Sequence, residues 1–180
     1  MDRPIRPLFP KGFKDEVQVQ AFVLASDRQT DGDVLAMNGA SAALSISPLP
    51  FLGPIGSVRV GRIDGRLVAF PTHDQLESSD LDLIVSGSED AVAMIEGFAR
   101  ELPEEEMAEA IVFAHGIIRE LIALQKELVA KAGKPKRAYV ADDGKELLDQ
   151  LRSRYYQEFR AAKQTEGKQA RADRKSTRLN

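Results

Sequence analysis

Residues 103–133 constrain the fold most. Pro103 stands at a helix start, and Glu104, Glu105 and Glu106 follow where the helix dipole favours negative charge. Apolar residues then recur at Met107, Ile111, Ala114, Ile118, Leu121, Leu124, Leu128 and Val129, until Lys131 and Gly133 end the run. A 30-residue helix spans ~45 Å at 1.5 Å per residue. Its apolar stripe must be covered by another layer of structure, and the residues before it supply strands.

Asp64-Gly65 separates Val58–Asp64 from Arg66–Phe70, a pair suited to a two-residue hairpin turn because both residues tolerate positive φ. Leu81–Ser86 places Leu81, Leu83 and Val85 on one face, and Ala91–Glu96 reads as a further strand or a first helical turn. Upstream, Val17, Val19, Ala21 and Val23 alternate with Gln18 and Gln20, so residues 16–25 are expected to be a strand. Asp33 is placed to cap a helix over Val34–Ile46, rich in small residues and stopped by Pro48 and Pro50. The order implies an α+β fold with helices packed on a mixed or antiparallel sheet. Only four or five strands are found, which reads as half of a larger sheet domain.

Beyond Gly133, Lys134-Pro-Lys-Arg137 reads as a linker, and Lys145–Lys163 as a second helix with Leu148, Leu151, Tyr155 and Phe159 on one face. That stripe wants a partner element. Residues 168–180 lack apolar periodicity and are expected to be disordered. Ser176-Thr-Arg-Leu-Asn180 resembles translated adapter sequence, so the last residues read as foreign to the native protein.

Charge divides the chain. Residues 1–130 carry 11 Lys/Arg against 21 Asp/Glu, and residues 131–180 carry 14 against 7. The basic end either attracts phosphate backbones or is a solvated helix with a basic tail. Without cysteine there is neither a disulfide framework nor a cysteine metal site, which fits a cytoplasmic location. No apolar run approaches membrane-spanning length, so no membrane partner is expected.

Generic catalytic motifs are missing. There is no Gly-rich phosphate loop of standard spacing and no nucleophile elbow, and His73 and His115 have no metal-ligand spacing. Arg3 and Arg6 flank Pro4, and two guanidinium groups at that spacing either grip phosphates or pair with carboxylates. Asp74, Glu77, Asp80 and Asp82 form an acidic cluster before the Leu81 strand. Residues two apart share a strand face, so Asp80 and Asp82 are expected to point together. Converging carboxylates hold Mg²⁺ through oxygen. On spacing alone, a solvated acidic turn is the better reading.

Longer matches then decide the family. Asp2-Arg-Pro-Ile-Arg-Pro-Leu-Phe-Pro-Lys-Gly-Phe13, Gly39-Ala-Ser-Ala-Ala-Leu-Ser-Ile-Ser47, Pro50-Phe-Leu-Gly-Pro-Ile-Gly56, Val60-Gly-Arg-Ile-Asp-Gly65 and Leu81-Asp-Leu-Ile-Val-Ser-Gly87 closely resemble the polynucleotide phosphorylase (polyribonucleotide nucleotidyltransferase) family. The resemblance makes residues 1–133 the latter part of the first of two ribonuclease PH-like cores. Residues 134–167 would begin the helical domain between the cores, and 168–180 would be a tail.

The resemblance implies a parent enzyme that degrades RNA from the 3′ end. Inorganic phosphate attacks the terminal phosphodiester and releases nucleoside diphosphates, with Mg²⁺ neutralising charge. It implies a homotrimer around an RNA channel, with Arg3 and Arg6 lining a phosphate or RNA path. Active cores of the family carry a Ser/Thr/Arg-rich phosphate loop before the small-residue helix; here the stretch is Asp33-Val-Leu-Ala-Met37. That implies a degenerate core, making this chain inactive alone or a non-catalytic RNA-binding and trimer-scaffold module. Against this, Asp74 and Asp80, followed by Asp82, match the family's metal-aspartate spacing and imply residual metal binding.

Overall fold

The computed structural model describes residues 1–140 and 144–176. Residues up to Val140 form one compact unit, and those from Ala141 onward form another.

The first unit is built on a four-stranded sheet in which every neighbouring pair is antiparallel, in the order β2-β1-β3-β4. The strands are β1 (Gly56–Ile63), β2 (Arg66–Ala69), β3 (Leu81–Gly87) and β4 (Val92–Ala99). Asp64 and Gly65 both take positive φ, 50° and 74°, and Ile63 pairs with Arg66, which makes the expected two-residue hairpin. Gly97 has φ 156°, and a Cβ there would stand 2.0 Å from the Asp82 carbonyl oxygen. Only glycine lets β4 lie so close to β3 at that point.

The helix α4 (Glu104–Ala132) covers one face of the sheet. Val58, Val60, Leu81, Leu83 and Val85 meet Ala110, Ala114, Ile118 and Ile122 in a buried core. The spacing of four places one helical row against the strands. Each fully buried isoleucine contributes roughly 1.5–3 kcal/mol by removal from water. The buried row differs from part of the expected stripe: Leu124 is 64% exposed and Leu128 is 39% exposed. Both line an open trough beside α2.

The other sheet face meets α2 (Asp33–Ile46) at the start of β1. Asn38 Nδ2 donates to the Ser57 carbonyl oxygen and Ser57 N–H donates to Asn38 Oδ1, both at 2.8 Å, so one side chain imitates a neighbouring strand. Ile55 N–H donates to Ser41 Oγ at 2.9 Å, and Gln125 Nε2 of α4 donates to the Ile55 carbonyl at 2.7 Å. Ser57 and Ser86, 2.7 Å apart through their hydroxyls, lie buried beside Met37 Sδ. These bonds give Asn38 and Ser41 their role among small residues: they fasten helix to strand. A second core gathers Ile5, Ala40, Leu44, Phe51 and Ile55. It holds the one-turn helix α1 (Asp2–Ile5) and its 3-10 continuation Arg6–Leu8.

Several expectations need correction. Among the described residues, 16–25 enter no β-ladder, although Val17 and Val19 are half-buried while Gln18 and Gln20 are exposed. Thr72 opens a short helix, α3 (His73–Glu77), through a capping box with Gln75, a signal present in the sequence but unread there. Lys134–Arg137 is no free linker. Lys134 and Arg137 N–H groups donate to the carbonyls of Ile46 and Pro48, and Lys136 Nζ donates to those of Leu44, Ser45 and Ser47, each at 2.9 Å. An ammonium satisfying orphan carbonyls at a helix C-terminus keeps this segment with the first unit, which therefore extends past 133 to 140.

In the second unit, α5 (Lys145–Lys163) has the expected bounds, and Leu148, Leu151 and Phe159 are exposed. Arg152 and Arg154 lie over Tyr156 and Tyr155. Residues Lys168–Ser176 form α6 rather than a disordered tail. Gln, Ala, Arg and Lys favour helix by intrinsic propensity without an apolar stripe. Residues 177–180, where the foreign ending was expected, lie outside the described residues.

Candidate functional site

A charged cluster occupies the junction of the α2 N-terminus with β1 and β3. Strand alternation puts Val58 and Val60 on the α4 face and therefore turns Arg59 to the α2 side. Its Nε donates to Asp82 Oδ1 at 2.8 Å and its Nη2 to Asp82 Oδ2 at 2.7 Å, a two-pronged grip on a carboxylate. Nη1 also donates to Asp31 and stands 3.8 Å from Asp33 Oδ2. Arg59 and Asp82 side chains are 18% and 21% exposed, so the pair is largely out of water. The hydrogen bond to Asp82 raises the guanidinium pKa further above its ordinary value, partly opposed by burial. At the helix start, Val34 N–H donates to the carboxylate of Asp33. The helix end that would attract an external anion thus already faces carboxylates, and those carboxylates already hold an internal cation.

The expected metal aspartates do not converge. Asp80 precedes β3 at a bend, so strand alternation does not govern it, and it pairs with Arg62. Arg62 Nη2 also reaches Glu106 of α4 at 2.6 Å, which places Asp80 on the α4 side. Asp82 lies on the α2 side with Arg59. Asp74 is exposed on α3. Among the described residues, no group of three His, Asp or Glu is placed to hold a metal ion. Asp74, Asp80 and Asp82 therefore do not fit a magnesium ion: two are each neutralised by a different arginine, on opposite faces of the sheet.

Arg3 and Arg6 are both exposed at the start of the chain. Arg6 donates to Asp2 from Nε at 3.0 Å and Nη2 at 2.8 Å, and Asp2 raises its pKa through the hydrogen bond and then by charge attraction. Arg3 Nη1 stands 3.9 Å from Glu96 of β4. Both readings left open by the sequence are thus compatible here: the arginines pair with carboxylates, and exposed pairs of this kind are weak enough to exchange for phosphate. His73 Nε2 lies 3.8 Å from Asp31, and His115 Nε2 lies 3.1 Å from the Ser88 carbonyl.

The sequence reading missed Arg59, Asp31 and Arg62. A signal was available: an arginine inside the apolar run Val58-Arg-Val60 requires a countercharge on its face.

Comparison with known proteins places this geometry. Residues 53–117 match the 3′ exoribonuclease family, domain 2. The polyribonucleotide nucleotidyltransferase of Rhodopirellula baltica is 65% identical over 173 residues, which is 96% of this chain and 23% of that protein. Over nearly its whole length the chain is similar to a segment of polyribonucleotide nucleotidyltransferases. Relatives of the same name from Methylacidiphilum infernorum and Heliobacterium modesticaldum are 49% and 56% identical over 172 and 137 residues. They are matched over 24% and 19% of their lengths and cover 95% and 76% of this chain. The chain thus spans about a quarter or less of these family members. The α+β class expected from the sequence is the one observed, and the sheet is antiparallel. No helix among the described residues is long and apolar enough to cross a membrane.

Proposed function

We propose that the chain is a non-catalytic part of a phosphorolytic 3′-to-5′ exoribonuclease, with RNA, inorganic phosphate and nucleoside diphosphates as the whole enzyme's substrates and products. Identity of 65% across nearly the whole chain with a polyribonucleotide nucleotidyltransferase carries this reading. The whole enzyme acts in messenger RNA turnover in the cytoplasm as a homotrimer, to which this unit lends scaffold and RNA path. The Arg59 cluster supports the non-catalytic assignment. Phosphorolysis needs an anion site for the attacking phosphate, and here the α2 N-terminus faces Asp31 and Asp33 instead. The Mg²⁺ requirement of the whole enzyme is assigned to residues outside this chain, because Asp74, Asp80 and Asp82 do not converge.

The test is incubation with poly(A), phosphate and Mg²⁺. No nucleoside diphosphate is expected from this chain, while the full-length Rhodopirellula baltica relative releases it. Release by the chain alone would overturn the assignment. Arg3 and Arg6 are proposed to contact the RNA backbone. Replacing their counterparts by alanine in the full-length relative is expected to lower the salt slope of RNA binding by about 0.7 per lost phosphate contact on a single strand. An unchanged slope and affinity removes that role.

A further inference from the structure

The C-terminus of α2 is capped from a distant part of the chain. Ser47 leaves the helix in extended backbone, with φ −74° and ψ 163°, so no left-handed residue folds back onto the last carbonyls. The carbonyls of Leu44, Ser45, Ile46, Ser47 and Pro48 instead all accept from residues 134–137. Lys134 N–H donates to Ile46 at 2.9 Å and Arg137 N–H to Pro48 at 2.8 Å. Pro135, which has no N–H, falls between them where no donor is needed. Lys136 Nζ supplies the other three, Leu44, Ser45 and Ser47, each at 2.9 Å and 89 to 92 positions away in sequence. The Leu44 carbonyl also accepts from the Ser47 hydroxyl at 2.8 Å.

An ammonium carries three protons, and three carbonyls converge on this one. Among the described residues no carboxylate pairs with Lys136. Burial pushes its pKa below the ordinary lysine value, so the carbonyls hold the charge against a desolvation cost. The negative end of the α2 dipole adds to the attraction. Potassium filters use the same chemistry, with backbone carbonyls replacing the water shell of a monovalent cation. The other side-chain attachments of the segment are weaker. Arg137 pairs with Asp15, but both side chains are 55% exposed, and exposed pairs contribute little. Tyr139 meets Phe13 edge to face, with ring centroids 5.3 Å apart.

We propose that the α2 C-terminus is a binding cage for a compact monovalent cation, filled by the chain's own Lys136 ammonium, and that this occupancy locks residues 134–139 as a strap on the first unit. Geometry sets the selectivity. Converging carbonyls suit a small point charge with rotatable donors, whereas a planar guanidinium spreads its donors in a fixed fork. A cage emptied by truncating the lysine therefore accepts free ammonium or potassium. It rejects tetramethylammonium, which is broad and has no N–H to donate.

Amide hydrogen exchange on the whole chain tests this. Lys136→Met keeps the aliphatic stem and removes the charge. It is expected to speed exchange at the Lys134 and Arg137 amides by at least ~10-fold while β3 amides stay protected. Lys136→Ala is expected to open the strap likewise, and to close it again in ammonium or potassium chloride but not in tetramethylammonium chloride at equal ionic strength. Lys136→Arg is expected to remain open. Parent-like protection in Lys136→Met would show that the ammonium is no lock. Closure by tetramethylammonium, or full protection in Lys136→Arg, would show that ionic strength or charge suffices without a cage. Failure of both ammonium and potassium to close Lys136→Ala would overturn the cage equally. The parent chain supplies a measurement that needs no folded variant. By heteronuclear NMR its Lys136 ammonium protons are expected to exchange with water at least ~10-fold more slowly than those of the exposed Lys11 and Lys14. Equal rates would overturn the proposal.

Discussion

Replacing Arg59 by methionine separates a structural ion cluster from a surface one. The substitution keeps the aliphatic stem and removes the cation from Asp82, Asp31 and Asp33. Removing one partner of a fully buried pair costs about 3–5 kcal/mol, whereas an exposed pair contributes about 0–1 kcal/mol. Arg59 and Asp82 are about a fifth exposed and Asp31 and Asp33 are near 45%, so the central pair lies toward the buried limit and the outer two toward the exposed one. The expected loss for Arg59→Met is ~2–3 kcal/mol. Asp82→Asn leaves Arg59 its bond to Asp31 and an amide oxygen to donate to, and is expected to cost ~1 kcal/mol. The double variant should be less destabilised than the sum of the singles by ~1 kcal/mol or more. Urea unfolding followed by far-ultraviolet circular dichroism measures these values, with hydrogen exchange in β1 and β3 assigning the loss to the first unit. If Arg59→Met falls within about 0.5 kcal/mol of the parent, the cluster behaves as a surface network and the closed-site reasoning fails.

Further outcomes follow from the packing. Ile118→Ala is expected to cost ~2–5 kcal/mol because its side chain is fully buried, while Leu124→Ala in this chain stays within about 0.5 kcal/mol, as urea midpoints will show. Gly97→Ala places a methyl group 2.0 Å from the Asp82 carbonyl and should release β4, seen as loss of exchange protection at Val92–Ala99 with α4 retained. The Glu89 carboxyl is held below the usual glutamate value by its hydrogen bond from Lys126, then by that residue's charge. Because the folded pKa is the lower one, this contribution is full above the ordinary glutamate pKa and disappears as pH falls through the lowered value. Carboxyl NMR titration should show Lys126→Met moving the Glu89 midpoint upward, and an unmoved midpoint would refute the pairing.

The legible parts of the fold were those written in local chemistry. Asp64-Gly65 takes positive φ at both positions whatever surrounds it, so the hairpin could be read directly. Pro103 and Gly133 bound α4, and Pro48 follows the end of α2, because both residue types act on the backbone where they stand. The Asp80–Asp82 reading failed for a converse reason. Alternation predicts a shared face only inside a strand, and Asp80 lies at a bend just before one. The lysine at 136 looked like linker charge because its three carbonyl partners are some ninety residues away along the chain.

The sequence by itself determined the hairpin, the three longest helices, the α+β class and the family resemblance, since propensity, turn chemistry and ordered motif matches are properties of short stretches. Only tertiary structure decided the fate of the charges: Arg59 takes Asp82, Arg62 takes Asp80, and the metal spacing dissolves into two separate ion pairs on opposite faces. It also showed that Val17–Val23, strand-like in pattern, has no ladder partner among the described residues. The physical reason is common to both. Countercharge and strand pairing are satisfied by residues distant in sequence, so their outcome depends on which surfaces the fold brings together.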